Sequence, residues 1–74
     1  MNIPRGQRYF ADARQESARR RCQAYCDTYG VKYSFISAQV GAPRYLIQRF
    51  STGERLLRPE TLEKLEKYLD SVGA

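Results

Sequence analysis

Histidine and tryptophan are absent from this chain of 74 residues, and it holds only two cysteines. Without histidine, the commonest general base and the commonest nitrogen ligand for metals are missing. Two cysteines are too few for a structural zinc site, which takes four protein ligands. Gly-rich phosphate loops and paired inward carboxylates are missing from the sequence as well. We therefore expect a protein that is not an enzyme and that binds no metal or cofactor.

The two cysteines, Cys22 and Cys26, are four residues apart within a helical pattern. That spacing places both thiols on one face of one helix, where the geometry does not suit a disulfide. We predict two buried, reduced thiols that behave as small apolar side chains.

Long apolar runs are also lacking. No stretch approaches the roughly 18 consecutive apolar residues that a membrane span requires. The first ten residues, MNIPRGQRYF, lack the apolar core of a signal peptide. We expect a cytoplasmic, nucleoid-associated protein with no membrane partner.

Positive charge is what the chain has in excess. Lys and Arg number 13 against 8 Asp and Glu, for a formal net charge of +5. Residues 1–53 carry nine basic and three acidic groups, whereas residues 54–74 carry four and five. We expect a flexible basic arm over residues 1–8 and one small domain over residues 9–74. The charge alone fits DNA, an acidic protein or an anionic membrane surface.

Apolar residues at spacings of three and four predict four helices, with no strand alternation. The first helix is expected from about Tyr9 to Tyr29, where Gly30 ends it. Its solvent face is predicted to hold Arg19, Arg20, Gln23 and Asp27. The fourth helix is expected to begin at Pro59. Its apolar stripe is predicted to be Leu62, Leu65, Leu69 and Val72. Leu56 or Leu57 should fill the core.

The stretch SAQVGAPRYLIQRF predicts two short helices that meet at a sharp corner. The second helix is expected over residues 34–40, with Ser34 as its N-cap and Phe35, Ile36 and Val40 as its apolar residues. The third is expected over residues 44–50, with Pro43 in its first turn. Gly41 supplies the backbone freedom of the corner, and the small Ser37 lies beneath it. The residues predicted to lock the corner are Ile36, Val40, Ile47 and Phe50.

Two helices joined at an angle by a short turn containing Gly describe a helix-turn-helix. The stretch from about Tyr33 to Leu69 resembles the lambda-repressor-like helix-turn-helix family of phage repressors, Cro-type proteins and antitoxins. ISAQVGAPRYLIQRFSTGE is similar to the family's second helix, turn and third helix, and LLRPETLEKLEKYLD is similar to its next helix. The resemblance implies an all-α bundle of four helices that regulates transcription by binding specific double-stranded DNA, most plausibly as a phage or bacterial repressor.

The family places its third helix in the major groove, while neighbouring residues meet the DNA backbone. Because Arg matches guanine and Gln matches adenine, the resemblance implies base contacts on this helix. The implied base-contacting residues are Arg44, Tyr45, Gln48 and Arg49. Backbone contacts position the protein without specifying a sequence. The implied backbone-contacting residues are Lys32, Tyr33, Ser34, Gln39, Ser51, Thr52 and Arg55, with Arg5 and Arg8 on the arm.

Two other functions stay open on the same fold. One is a protein-interaction module, such as an antitoxin or a regulator-binding factor, and the other is an excision or architectural DNA-binding factor. The burial of Leu46 is left open by the pattern, and an exposed Leu46 beside Tyr45 would favour a protein partner. For DNA binding we expect a homodimer on a two-fold site, formed through the first and fourth helices.

Overall fold

The computed structural model describes residues 12–74, and within that range the chain forms four helices and no strand. The helices are α1 (Asp12–Tyr29), α2 (Tyr33–Gln39), α3 (Leu46–Ser51) and α4 (Pro59–Ser71). The all-α prediction is therefore confirmed. The predicted arm over residues 1–8 and the predicted start of the first helix at Tyr9 lie outside the described residues. No helix between residues 12 and 74 has the length and apolar character to cross a membrane.

The core lies where α1 meets α3 and α4, and where α2 meets α3. Its apolar members are Ala18, Cys22, Cys26, Ile36, Val40, Ile47, Phe50, Leu57, Leu62, Leu65 and Leu69. All four residues predicted to lock the corner are among them. Of the two leucines before α4, Leu57 is the one that fills the core, and Leu46 is half-buried against it. The position of Leu46 removes one argument for a protein partner at α3.

The loop before α4 enters the core through a pair of hydrogen bonds with α1. Nε2 of the buried Gln15 donates to the carbonyl oxygen of Leu57 at 2.9 Å. In return, the backbone N–H of Leu57 donates to Oε1 of Gln15 at 3.2 Å. A buried loop leaves backbone polar groups without partners unless a side chain supplies them. Gln15 satisfies both groups of Leu57, so this irregular segment can lie in the core.

Ion pairs join α1 to α4. Nη2 of Arg14 lies 2.5 Å from Oε1 of Glu66, and Nη2 of Arg21 lies 2.6 Å from Oδ1 of Asp70. The bond to Glu66 also raises the pKa of Arg14. Pairs this exposed contribute about 0–1 kcal/mol each, so they orient the helices more than they stabilise them.

Two helix-face predictions are wrong. Val72 is the C-cap of α4 rather than part of its buried stripe, because the helix ends at Ser71. Arg19 and Gln23, expected on the solvent face of α1, turn toward α3 and bond its last carbonyls. Phe35, one of the apolar residues of α2, is exposed, because Ile36 and Ser37 already fill the inner face of the helix.

Candidate nucleic-acid interface

A cleft opens between the start of α2 and the start of α3. It is lined by Lys32, Tyr33, Ser34, Arg44, Tyr45 and Gln48. We call it the α2–α3 cleft. All six lining residues belong to the set for which the sequence predicts DNA contacts. The fold therefore brings three residues predicted to meet bases next to three predicted to meet the backbone.

The start of α2 forms one wall of the cleft. Lys32, not Ser34, is its N-cap, with an extended backbone (φ −80°, ψ 143°), so the predicted cap is wrong by two residues. The carbonyl oxygen of Lys32 accepts from the N–H groups of Phe35 and Ile36, at 3.1 and 3.3 Å. The Lys32 side chain makes no cap hydrogen bond there. Burial raises the pKa of Tyr33, and a hydrogen bond with the Ser51 side chain lowers it. A tyrosine phenol is already protonated at neutral pH, so Tyr33 carries a hydroxyl that can donate a hydrogen bond.

The corner sets the angle of the other wall. Gly41 adopts φ +67°, a conformation that glycine accepts without steric cost. The N–H of Ala42 donates to the Ser37 carbonyl at 2.8 Å, and the N–H of Ile47 donates to the Ser37 hydroxyl at 3.3 Å. Ser37 therefore holds the turn through its carbonyl and α3 through its side chain, and it is fully buried.

The third helix starts later than the sequence predicts. Tyr45 is its N-cap and α3 begins at Leu46, so Pro43 and Arg44 belong to the turn. The N–H of Leu46 donates to the Pro43 carbonyl at 3.0 Å, which tightens this turn before the helix proper. The predicted start at Arg44 is wrong, since the chain still turns there. Arg44 and Tyr45 consequently project from a turn at the tip of α3.

At that tip, an arginine and a tyrosine lie side by side. Tyr45 is 60% exposed, and the guanidinium carbon of Arg44 lies 5.9 Å from the centre of its ring. Gln48, one turn further along α3, is also exposed. The tip therefore presents a guanidinium fork, a phenol and a carboxamide to solvent, which are groups that can hydrogen-bond the edges of bases.

A shallow groove on the other side of Tyr45 extends this surface. It is lined by Pro43, Tyr45, Leu46, Arg49 and Arg55. Because Tyr45 borders both the cleft and the groove, the cations of the two depressions belong to one continuous face. We call this face the α3 face; its cations are Lys32, Arg44, Arg49 and Arg55.

These four cations differ in pairing from most of the arginines on α1. Arg14, Arg19 and Arg21 form salt bridges with Glu66, Glu16 and Asp70. By contrast, none of the four cations of the α3 face makes a salt bridge with any residue between 13 and 74. The remaining cations without a salt bridge in that range are Arg20 on α1, Arg58 just before α4 and Lys64 on α4. The charge available to an anion is thus concentrated on the α3 face.

The end of α3 is held from behind by α1. Nε of Arg19 donates to the carbonyl oxygen of Phe50 at 2.7 Å, and Nε2 of Gln23 donates to the carbonyl oxygen of Ser51 at 2.6 Å. The last carbonyls of a helix lack partners within the helix. The two α1 side chains supply those partners and so set how α3 projects from the bundle.

Sequence reasoning missed Arg19 and Gln23, although their spacing of four residues placed them on one face of α1. Because that face is polar, the pattern predicts that it faces solvent. The residue pattern of α1 does not indicate that its polar face caps the end of another helix.

Some predicted contact residues lie away from the cleft or are engaged elsewhere. Ser51 is buried and its hydroxyl donates to the Gln48 carbonyl at 2.6 Å, so we remove it from the contact set. The Thr52 hydroxyl is exposed but bonds the Arg49 carbonyl at 2.9 Å. Gln39 is exposed at the last position of α2 and does not line the cleft. Arg5 and Arg8 lie outside the described residues.

The cysteines and the tyrosines of α1 do not form part of this face. Cys22 and Cys26 are buried free thiols, as predicted. Tyr25 packs edge-on against Tyr68 with their ring centres 6.1 Å apart, while Tyr29 is 69% exposed. In the stretch from residue 12 onward, no cluster of His, Cys, Asp or Glu has the composition of a metal site.

Comparison of the chain with protein-family models, with curated proteins and with solved structures gave no match.

Proposed function

We propose that this chain is a sequence-specific regulator that binds double-stranded DNA, and that α2, the corner and α3 act as a helix-turn-helix of the lambda-repressor-like type. The observation that carries the proposal is the charge distribution. Cations of the α3 face have no acidic partner between residues 13 and 74, whereas Arg14, Arg19 and Arg21 are neutralised within the fold. A polyanion is the ligand that such a face fits.

Base reading is assigned to the tip of α3. In helix-turn-helix proteins, residues near the start of the recognition helix meet base edges in the major groove. Arg44 can pair with O6 and N7 of guanine, and Gln48 with N6 and N7 of adenine. Tyr45 can meet a thymine methyl group or a phosphate. Each bidentate contact discriminates by about 1–3 kcal/mol against the wrong base.

Backbone contacts are assigned to residues on both sides of that tip. Lys32, Tyr33 and Ser34 line the α2–α3 cleft on one side of the tip. Arg49 and Arg55 line the groove on the other side of Tyr45. Arg49 also remains a candidate for base contact. Such contacts fix the position of the recognition helix over the bases. Each neutralised phosphate adds about 0.9 to the steepness with which log affinity falls with log salt.

A homodimer on a two-fold site completes the proposal. One copy presents a short helix of six residues to the groove, so two copies on half-sites about one helical turn apart would double the contacts. Val72, exposed at the end of α4, is available for the dimer surface. Sedimentation of the protein alone and on its duplex should show the dimer at least on DNA. A monomer in both states would contradict this part of the proposal.

The test of DNA binding is selection of duplexes from a random pool, followed by a salt titration of the selected sequence. Arg44→Ala and Gln48→Ala are the reading variants. Arg20→Ala is the matched control, because Arg20 is an exposed arginine of α1 that lies outside both depressions of the α3 face. We expect a defined consensus, loss of discrimination at one position in each reading variant, and little change in Arg20→Ala.

Selection that yields no consensus, together with weak binding unchanged by Arg44→Ala, would contradict sequence-specific regulation. If the selected duplex is strongly bent in the complex, the excision or architectural alternative is favoured.

A further inference from the structure

The outer face of α2 carries an aromatic side chain with no place in the core. Phe35, one of the apolar residues of α2, is 51% exposed. It forms part of a groove with Val31, Ala38 and Ala42, whose cationic rim is Lys32 and Arg44. We call this the outer groove. Its floor is apolar, and no residue of the described chain covers it.

The spacing of these residues explains the groove. Phe35 and Ala38 are three residues apart, so they share the outer face of α2, and Val31 and Ala42 flank that helix at its two ends. Ile36, Ser37 and Val40 make the opposite, buried stripe. A helix of seven residues, about 10 Å long at 1.5 Å per residue, is thus apolar on two sides. Only one of those sides is needed to build the fold.

The cations of the rim also border the α2–α3 cleft. Lys32, Ser34 and Arg44 line both depressions. Neither Lys32 nor Arg44 pairs with an acid of the described chain. A ligand in the outer groove that carries negative charge would therefore occupy the same two cations that the proposed DNA complex uses.

We propose that the outer groove binds a short acidic segment of a partner protein, with one apolar side chain of that segment against Phe35 and its carboxylates on Lys32 and Arg44. An apolar floor excludes DNA as the best occupant, because a phosphate backbone offers it nothing to pack against. The cationic rim selects acidic over basic segments. Binding there and binding of DNA exclude each other. This mutual exclusion rests on the proposed function, while the binding of an acidic segment in the groove does not.

The groove is open and its apolar lining is limited to four residues, so the partner segment is short and its affinity modest. One aromatic anchor at the centre of such a contact dominates the binding, and truncating it should weaken binding by at least about tenfold. Rim cations contribute mainly to the rate and selectivity of association, which salt weakens.

The experiment is a selection of random peptides displayed on phage against the whole chain. Enriched peptides are then synthesised and titrated against the parent, Phe35→Ala and the double variant Lys32→Ala/Arg44→Ala. Tyr29→Ala is the matched control, an exposed aromatic residue outside the groove. We expect peptides that combine Asp or Glu with a large apolar residue, about tenfold weaker binding to Phe35→Ala, weaker binding to the double variant, and no change in Tyr29→Ala.

No enrichment, peptides without acidic residues, or equal affinity for Phe35→Ala would overturn the proposal. Loss of duplex binding in Phe35→Ala would assign the outer groove to DNA instead. A change in the sedimentation of that variant would assign the outer groove to a second copy of the chain.

The final experiment tests whether the best peptide displaces the selected duplex. Duplex binding by the parent without peptide is measured first. If the parent binds no duplex but peptides still depend on Phe35, the proposed function fails and the groove stands. If the parent binds the duplex and peptide binds beside it without displacement, the mutual exclusion fails.

Discussion

Arg19 of α1 contacts Phe50 of α3 twice, through a hydrogen bond from Nε to the Phe50 carbonyl at 2.7 Å and through its guanidinium, 4.9 Å from the centre of the ring. Glu16 pairs with the same guanidinium and orients it. One side chain therefore caps the end of α3 and covers an aromatic residue of the core. Through this contact the base-reading tip proposed on α3 depends on a residue in another helix.

Removing that contact should loosen α3. We expect Arg19→Ala to lower the free energy of unfolding by about 1–2 kcal/mol, because the Phe50 carbonyl loses a charged donor. Arg19→Lys should recover part of the loss by keeping the charge without the Nε donor. Denaturation in urea measures both, and Arg20→Ala, an exposed arginine, should change the free energy by less than about 0.5 kcal/mol. Equal effects of Arg19→Ala and Arg20→Ala would show that the cap does not hold α3.

The two hydrogen bonds between Gln15 and Leu57 should be more sensitive to substitution than the contact of Arg19 with Phe50. Gln15→Leu replaces the carboxamide with an apolar side chain of similar size and leaves two buried backbone groups of Leu57 without partners. We expect a loss of about 2 kcal/mol or more, since each unsatisfied buried group costs roughly 1–3 kcal/mol. Urea denaturation reports the loss. A neutral outcome would mean that the loop shifts to expose Leu57 to water, which hydrogen exchange at the Leu57 amide would reveal.

Substitution of Gly41 should lower the stability of the fold through the backbone conformation alone. A Cβ at this position would meet no atom within 4 Å, yet φ is +67°. We expect Gly41→Ala to lose about 1 kcal/mol from the left-handed conformation, and Gly41→Asn to lose less, because Asn tolerates that region. Gly30→Ala is the matched control, with the same φ and equally open space. A much larger loss at Gly41 than at Gly30 would point to crowding within the corner.

Ionisation of Cys22 should make stability fall in alkali. Burial raises the pKa of Cys22 from 9.0 to about 12 in the folded chain. Between these two values the unfolded thiol ionises and the folded one does not, so deprotonation favours unfolding and stability falls as pH rises from 9 toward 12. The measurement is the difference in urea midpoint between the parent and Cys22→Ala, which isolates this thiol from lysine and tyrosine titration. If that difference stays constant across the window, the thiol does not contribute.

The existence of four helices was readable from apolar spacing, because each helix must turn one apolar stripe inward. The same principle identified the buried corner residues, while the tolerance of glycine for a left-handed φ identified the glycines that end helices. Apolar spacing did not assign Phe35 to a face, since a short helix with apolar residues on two sides does not specify which side faces the core. It also failed for the starts of α2 and α3, where a cap or a turn competes with the first helical turn over one or two residues.

For the candidate site, too, some features follow from the sequence and others only from the tertiary structure. Sequence alone determined which residues are cationic, which can pair with bases, and that they cluster around one short helix, because these properties belong to residue types and to neighbours along the chain. Only the tertiary structure decided which cations remain without acidic partners and which polar side chains of α1 turn inward to cap α3. Those outcomes depend on contacts between residues about 30 to 50 positions apart, such as Arg19 with Phe50 and Arg14 with Glu66, and periodicity carries no information about such distant pairs.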